Sequence, residues 1–165
     1  QESEMIFLEG YLWDEGEPKS AFDKAMSISK TKAMSLSDQF CVERHKNSFL
    51  DLVKNKLDIT FANEQEIKSL INTTNFEEVI KFGKQLGKIL IITRGELGSI
   101  AIIQDEVIEC DSKKNLNIID LTGAGDLFAA GYLHGHINNL SIKESLEKGT
   151  EMSSRIIQKV GARLN

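Results

Sequence analysis

The sequence has few cysteines and no long apolar run. Cys41 and Cys110 are the two cysteines, and neither has a CxxC partner, so we expect reduced thiols in the cytoplasm. No apolar stretch approaches the roughly 20 residues needed to cross a bilayer. The opening residues, QESEMIFLEG, lack the basic segment of a signal peptide. We therefore expect no association with a membrane.

The sequence also lacks an excess of basic residues. Its formal net charge is -5, and its basic pairs, such as Lys113 with Lys114, are short. Binding to a phosphate backbone requires a basic face, so the charge argues against a nucleic-acid partner.

The remaining composition is that of a globular protein. Of the 165 residues, 41% are hydrophobic and 27% are charged. A chain of this length buries about two thirds of its unfolded surface and is typical of one domain, which we expect to span residues 1–165. The first residue is not Met and an apolar stretch follows almost at once, so we expect a fragment of a longer protein.

Short apolar runs alternate with helical patterns along the chain. The predicted strands are EMIFLEGYL, a weak AMSLSD, LDITFAN, KILIIT and LNIID, and the predicted hairpin is SIAII with EVIEC. The predicted helices are PKSAFDKAMSISKTKA, CVERHKNSFLDLVKN, NEQEIKSLI, NFEEVIKFGKQLG and a stretch from Gly123 to Val160 that breaks at NNLS. This order predicts a three-layer α/β/α fold with a mainly parallel sheet plus a β-hairpin. In such sheets, ligands collect at the carboxyl ends of the strands.

The segment DLTGAGDLFAAG, residues 120–131, follows a predicted strand and opens a helix. Gly123 and Gly125 let the backbone approach a ligand, and the first N–H groups of the helix favour an anion. Asp126 would repel a phosphate, unless it accepts a proton from a hydroxyl that attacks that phosphate. Equally, Asp126 can be a first-turn acid that the helix dipole favours.

Two other glycine motifs fit this loop poorly. A Walker P-loop requires GxxxxGK[ST], and no lysine follows the glycines here. A dinucleotide fingerprint places a third glycine where Phe128 stands, and it normally opens a βαβ unit. Only helix is predicted after this loop, which argues against a dinucleotide site.

Two further strand ends carry polar motifs. Asn63 and Glu66 in ANEQE are spaced as a helix capping box, and they can also lie near phosphate and Mg²⁺. In TRGELGS, Gly95 and Gly98 can be turn residues, or they can border a nucleotide together with Thr93. In that second interpretation, Arg94 reaches the phosphates of the nucleotide.

Together, these motifs resemble the PfkB/ribokinase family of carbohydrate and nucleoside kinases. DLTGAGDLFAAGYLHG is similar to the family's second signature, ANEQE to its NxxE motif and TRGELG to its TxGxxG motif, in matching order. The segments LEGYLWD, SLSDQFCVERH and GAR resemble the bacterial adenosine-kinase-like branch in particular. The resemblance covers the whole chain and implies a ribokinase-like fold.

The resemblance also implies a role for each motif residue. Asp126 would be the catalytic base, and the anion hole around the γ-phosphate would consist of Gly123, Ala124 and Gly125. Asn63 and Glu66 would arrange phosphate and Mg²⁺, with Glu66 acting through water. The ATP site would include Thr93, Gly95 and Gly98. A monovalent cation such as K⁺ would lie at the backbone carbonyls of Asp120 and Thr122, with Gly161 and Ala162 nearby.

Members of the family are about twice as long as this chain. We therefore expect that the amino-terminal half, with its β lid and its acceptor-binding carboxylate, is absent here. The implied function is ATP-dependent phosphorylation of a primary hydroxyl, with adenosine favoured as acceptor and ribose or another sugar next. The expected partners are a small sugar or nucleoside and the missing half of the protein. A homodimer would add a second copy of the same protein. The alternative is a nucleotide-binding or interaction fragment without activity of its own.

Overall fold

The computed structural model describes residues 3–13 and 18–164. The strands are β1 (Ser3–Glu9), β2 (Ser29–Ser35), β3 (Ile59–Asn63), β4 (Ile89–Thr93), β5 (Ser99–Ile103) and β6 (Glu106–Cys110). The helices are α1 (Pro18–Ser27), α2 (Gln39–Asp51), α3 (Glu64–Ile71), α4 (Phe76–Leu86), α5 (Ala124–Ile137) and α6 (Ile142–Ile156). Short 3₁₀ turns lie at Gly10–Trp13 and Gly95–Leu97, and a π-helical turn at Leu52–Lys56 follows α2.

The six strands form one sheet in the order β1-β2-β3-β4-β5-β6. β1 pairs with β2 in parallel, with Met5 opposite Thr31, and β2 pairs with β3 in parallel, with Ala33 opposite Ile59. Only Gln104 and Asp105 separate β5 from β6, a connection that permits an antiparallel hairpin and no parallel crossover. The structure thus confirms the mixed α/β fold with a hairpin.

The chain divides into two compact units. The first comprises Gln1–Ile92 with Ile102–Glu106, and the second comprises Thr93–Ala101 with Val107–Asn165. In the first unit, fully buried side chains such as Phe49, Leu57 and Ile67 form the core. Among the described residues, no helix is both long enough and apolar enough to cross a membrane.

In the second unit, α5 and α6 pack at very short range. A Cβ added at Gly131 would lie 2.5 Å from the Lys148 carbonyl oxygen, and one added at Gly149 would lie 2.8 Å from the Phe128 carbonyl oxygen. Any side chain at either position would therefore push the helices apart. This close approach orients the face of α6 that bears Thr150 and Ser154.

The sequence-based helix at residues 18–33 is wrong in its second half. The helix α1 ends at Ser27, and the chain then enters β2 at Ser29. Pro18 at the start and apolar residues at helical spacing suggested a helix, but pairing with β1 on one side and β3 on the other imposes an extended backbone. Ala33 and Met34 are fully buried there, so tertiary packing overrides local propensity.

The predicted strand LNIID is also wrong. The backbone N–H groups of Ile119 and Asp120 both donate to the Ile157 carbonyl oxygen, at 2.8 and 3.2 Å. Both N–H groups therefore share one carbonyl acceptor after α6, whereas a strand pairs with a row of acceptors along a neighbouring strand. Ile118 and Ile119 are 54% and 53% exposed, so their β-branched side chains do not mark a buried strand. The predicted helical stretch to Val160 likewise stops earlier, because α6 ends at Ile156.

Candidate functional site

A cavity of about 670 Å³ lies in the second unit. Its lining comes from three segments: the turn after β4 with the first residue of β5, the chain from Ser112 to Phe128, and the face of α6. The lining residues are Thr93, Gly95, Glu96, Gly98, Ser99, Ser112, Lys113, Lys114, Asn115, Leu116, Ile118, Leu121, Ala124, Gly125, Phe128, Thr150, Ser153, Ser154 and Ile157.

Hydrogen bonds fix the turn after β4 at the cavity wall. The Arg94 N–H donates to the Gly98 carbonyl oxygen at 2.8 Å, which closes the turn. A Cβ at Gly98 would lie 2.1 Å from the Cys110 carbonyl oxygen, so the segment after β6 can approach only a glycine. The Ser112 hydroxyl donates to the Glu96 carbonyl oxygen at 2.7 Å. Lys114 donates to the same oxygen at 3.3 Å.

The amino terminus of α5 opens onto the same cavity. Gly123 precedes the helix with a left-handed backbone (φ 76°), and Ala124 and Gly125 line the cavity. The Ala124 N–H donates to the Leu121 carbonyl oxygen at 3.1 Å. The N–H groups of Gly125 and Asp126 precede the first acceptors that the helix itself offers, so an anion can bind to them. With the helix dipole they favour an anion.

Gly125 has no structural reason to be glycine in the described structure. A Cβ there would meet no atom within 4 Å, and its φ lies outside the left-handed region. Gly123 differs, because its φ is positive and a Cβ would lie 2.9 Å from the Ala162 Cβ. The bare backbone at Gly125 therefore leaves open space beside the first-turn amides, as the close approach of an anion requires.

Asp126 lies in the first turn of α5 and is exposed to solvent. It follows Gly125 directly but is not among the cavity-lining residues. An exposed carboxylate beside an anion cradle can accept a proton from a hydroxyl that approaches from outside the cavity.

The loop before α5 is organised by Asp120. Its Oδ1 accepts hydrogen bonds from the Thr122 N–H at 2.9 Å and the Thr122 hydroxyl at 2.7 Å, and its Oδ2 accepts one from the Gly161 N–H at 2.8 Å. The Gly161 N–H, followed by the two Thr122 donors, lowers the pKa of the Asp120 carboxyl. The structure thus brings Asp120, Thr122 and Gly161 together, and a cation at the carbonyls of Asp120 and Thr122 stays a prediction.

Asn63 and Glu66 lie in the first unit, at the start of α3. They form the predicted capping box: the Asn63 side chain accepts from the Glu66 N–H at 2.8 Å, and Glu66 Oε2 accepts from the Asn63 N–H at 2.8 Å. Glu66 Oε1 accepts from the Asn63 side-chain amide at 2.6 Å. Burial raises the pKa of Glu66 to about 7, and the charge of Asp38 adds to this effect against the hydrogen bonds from Asn63.

The role of these two residues near Mg²⁺ stays a prediction. Both Glu66 oxygens already accept hydrogen bonds from Asn63, so contact through water suits this carboxylate better than direct ligation. In the part of the chain that the structure describes, no three His, Cys, Asp or Glu side chains could hold a metal. Mg²⁺ typically retains several waters and takes its other ligands from one or two carboxylates and bound phosphates.

The structure places only some of the predicted site residues in the cavity lining. The nucleotide-site residues Thr93, Gly95 and Gly98 line the cavity together with Ala124 and Gly125. The predicted phosphate ligand Arg94 is not among its lining residues, and neither are Gly123 and Asp126.

Sequence reasoning missed several hydroxyl side chains in the cavity wall, namely Ser99, Ser112, Thr150, Ser153 and Ser154. Thr150 and Ser154 are four residues apart, which places them on one face of α6 and was the available signal.

A comparison with known protein families identifies the family of this chain. The family described as pfkB family carbohydrate kinase matches residues 1–165 of this sequence. The chain belongs to the pfkB family of carbohydrate kinases.

Solved structures support the same assignment. Adenosine kinase from Sinorhizobium meliloti is 34% identical, with a TM-score of 0.95, over 98% of this chain and 51% of that chain. A probable sugar kinase from Rhizobium etli CFN 42 is 36% identical, with a TM-score of 0.94, over 97% of this chain and 50% of that chain. The fold is therefore ribokinase-like.

A curated nucleoside kinase from Methanocaldococcus jannaschii is 28% identical over 120 residues, which are 73% of this chain and 39% of the relative. This pfkB chain thus spans about half the length of the two solved relatives and less than half of the curated one. Its neighbours include kinases of both nucleosides and sugars, and the activity of the whole protein is a separate question.

Proposed function

We propose that the protein is an ATP-dependent phosphotransferase that phosphorylates a primary hydroxyl of a sugar or nucleoside. Adenosine is the favoured acceptor, because the segments LEGYLWD, SLSDQFCVERH and GAR resemble the adenosine-kinase-like branch and a solved relative with a TM-score of 0.95 is an adenosine kinase. Ribose or another sugar is the next candidate, because a 36% identical relative is a probable sugar kinase. In this proposal the present chain carries the ATP site and the catalytic base.

The observation that carries the proposal is the bare backbone of Gly125 at the cavity. No neighbouring atom and no backbone constraint requires glycine there, while Ala124 and Gly125, in the first turn of α5, line the cavity. Such a cradle suits the γ-phosphate of ATP, and Thr93 with the 95–98 turn supplies a wall for the rest of the nucleotide.

The chemistry then follows from the position of Asp126. The acceptor hydroxyl oxygen forms a bond to the γ-phosphorus while the bond to the β–γ bridging oxygen breaks, and ADP leaves. The Asp126 carboxylate accepts the hydroxyl proton, and the amides of Gly123, Ala124 and Gly125 stabilise the charge on the transferred group.

Two cations complete the proposal. Mg²⁺, when bound, neutralises phosphate charge, and Glu66 through water and Asn63 are the residues that would hold it. K⁺ would lie at the backbone carbonyls of Asp120 and Thr122. Thr122 and Gly161 donate hydrogen bonds to the Asp120 carboxylate, and these bonds hold that loop in place.

A second candidate is a nucleotide-binding or interaction fragment without activity of its own. The observation in its favour is that the chain covers only 51% and 50% of the two solved relatives. Turnover measured on the protein at its natural length, compared with residues 1–165 alone, separates the two.

The test of the base is Asp126→Asn in the protein at its natural length. We expect acceptor-dependent ADP formation to fall by about 10²-fold or more, with ATP affinity nearly unchanged, because the proton acceptor is lost while the amides remain. The matched control is Glu77→Gln, since Glu77 is an exposed first-turn acid on α4 and shares only the dipole role. Turnover of the Asp126→Asn protein within a few-fold of wild type would reduce Asp126 to that dipole role.

A further inference from the structure

A strained turn lies at the carboxyl end of β2, between this strand and α2. The Asp38 N–H donates to the Leu36 carbonyl oxygen at 3.1 Å, and Ser37 between them has a φ of 73°. A hydrogen bond between residues two apart, with a positive φ at the central residue, describes the rare and strained form of the γ-turn.

Ser37 has no local reason to adopt this backbone. The other non-glycine residues with a positive φ in the described part of the chain are Asn72, Gln104, Asn115 and Asn139. Asparagine tolerates the left-handed region, and Gln104 lies in the two-residue connection of the β5–β6 hairpin, where turns favour a positive φ. A serine in this conformation must be held by the surrounding fold, and residues held in this way concentrate at functional sites.

Contacts with the end of β1 hold the turn. The Ser37 hydroxyl donates to Glu9 Oε2 at 3.0 Å and accepts from the Tyr11 N–H at 3.2 Å. Gly10 lies between these two residues, and a Cβ there would lie 2.8 Å from the Leu36 carbonyl oxygen. One hydroxyl thus ties the Glu9 carboxylate and the backbone of Tyr11 to the end of β2.

The turn also fixes the start of α2. Asp38, the last residue of the turn, is the N-cap of this helix, and its Oδ1 accepts from the Cys41 N–H at 2.6 Å. Ser37 therefore links β1, β2 and α2 within the first unit. A change at Ser37 should move the Glu9 carboxylate relative to these elements.

The position of the turn indicates which reactant it serves. In parallel sheets, ligands bind at the carboxyl ends of the strands. Residues 9–11 and 36–38 belong to the first unit, and none of them is among the lining residues of the cavity proposed for ATP. In the proposed reaction, the acceptor is the reactant that remains for these strand ends.

We propose that Ser37 is a positioning residue for acceptor binding, and that it acts by holding the Glu9 carboxylate and the end of β1 in one orientation. This inference rests on the proposed function. A strand end that is already ordered reduces the ordering that acceptor binding would otherwise require.

Steady-state kinetics on the protein at its natural length test this role, with adenosine, ribose and fructose as acceptors. Ser37→Gly removes the hydroxyl but relieves the backbone strain, so the melting temperature should stay within about a few degrees of wild type. We expect KM for the acceptor to rise about three- to tenfold, as for the loss of one hydrogen bond, with kcat and KM for ATP nearly unchanged.

Two further variants separate the hydroxyl from the backbone. Ser37→Ala also removes the hydroxyl but keeps the strain, so we expect at least the same rise in KM for the acceptor together with a lower melting temperature. The matched control is Gln104→Gly, which relaxes another left-handed residue of the first unit, away from the ends of β1 and β2. It should leave both KM values as in wild type.

Three outcomes would overturn the inference. An unchanged KM for the acceptor in Ser37→Gly would show that the turn has a structural role alone. An equal rise in KM for ATP and for the acceptor would show a general effect on the fold. If wild-type protein phosphorylated none of the three acceptors, the proposed function itself would fail, and the inference with it.

Discussion

At the scale of single residues, the glycines before and within α5 are glycine for different reasons. The fold requires glycine at Gly123, because the backbone there is left-handed and Ala162 occupies the space that a side chain would need. Gly98 likewise makes room for the Cys110 carbonyl oxygen. Gly125 satisfies neither requirement, and its role as a ligand-binding position stays a prediction.

The variant Gly125→Val tests that distinction. A side chain here enters the open space beside the α5 amides, so we expect ATP affinity to fall by about tenfold or more. The melting temperature should change by only about a few degrees, because no protein atom is displaced. Calorimetry and thermal unfolding measure the two effects.

Gly123→Val is the control for this experiment. Its φ of 76° and the contact with Ala162 predict that stability and ATP affinity fall together. If Gly125→Val lost both properties in the same proportion as this control, Gly125 would be a structural turn residue.

At the scale of elements, the amino terminus of α3 combines a structural and a chemical role in one pair of residues. The capping box between Asn63 and Glu66 satisfies the first amides of the helix, and it also buries a carboxylate whose pKa is raised to about 7. The structural explanation of these two residues is therefore confirmed, while their role with Mg²⁺ stays a prediction.

This raised pKa predicts how stability depends on pH. The Glu66 carboxyl titrates near 4.5 when unfolded and near 7 when folded, so between these values the folded state binds more protons. The free energy of unfolding should therefore decrease as pH rises through this window, by on the order of 3 kcal/mol from this group.

Urea unfolding of the protein at its natural length, at pH values between about 5 and about 8, measures that change. Glu66→Gln removes the titrating group and should flatten the curve in this window, relative to wild type. Parallel pH curves for the two proteins would contradict the raised pKa.

At the scale of the whole molecule, this chain covers 51% and 50% of two closely similar solved kinases. In the first unit, several large apolar side chains near the carboxyl ends of β1 and β2 are exposed. Tyr11, Leu12 and Phe40 are 51%, 59% and 70% exposed, while Leu8 in β1 is buried. Exposed apolar groups of this size favour association with other protein surface.

We therefore predict that residues 1–165 alone phosphorylate neither adenosine nor ribose. In the proposed function, the residues described above account for the phosphate side of the reaction, and phosphoryl transfer also requires a held acceptor and the exclusion of water. The purified fragment with Mg-ATP, K⁺ and each acceptor should release no acceptor-dependent ADP, and light scattering should show dimers or larger species. Robust acceptor-dependent ADP release would place the acceptor site within these residues.

Local signals in the sequence were sufficient for several features. The glycines and Asp126 after residue 120 and the spacing of Asn63 with Glu66 predicted two helix starts, and the alternation of elements predicted the fold class. Helix caps depend on residues within one turn, so their sequence pattern is enough.

Tertiary structure decided the features that depend on distant partners. Residues 29–33 became a strand because β1 and β3 pair with them, and LNIID did not, because Ile157 supplies a single carbonyl. The spacing of Thr150 and Ser154 placed them on one face of α6, but the sequence did not show that this face lines a cavity, because the glycine contacts between α5 and α6 orient it. Strand pairing and helix packing join residues far apart in the chain, and no local pattern encodes those partners.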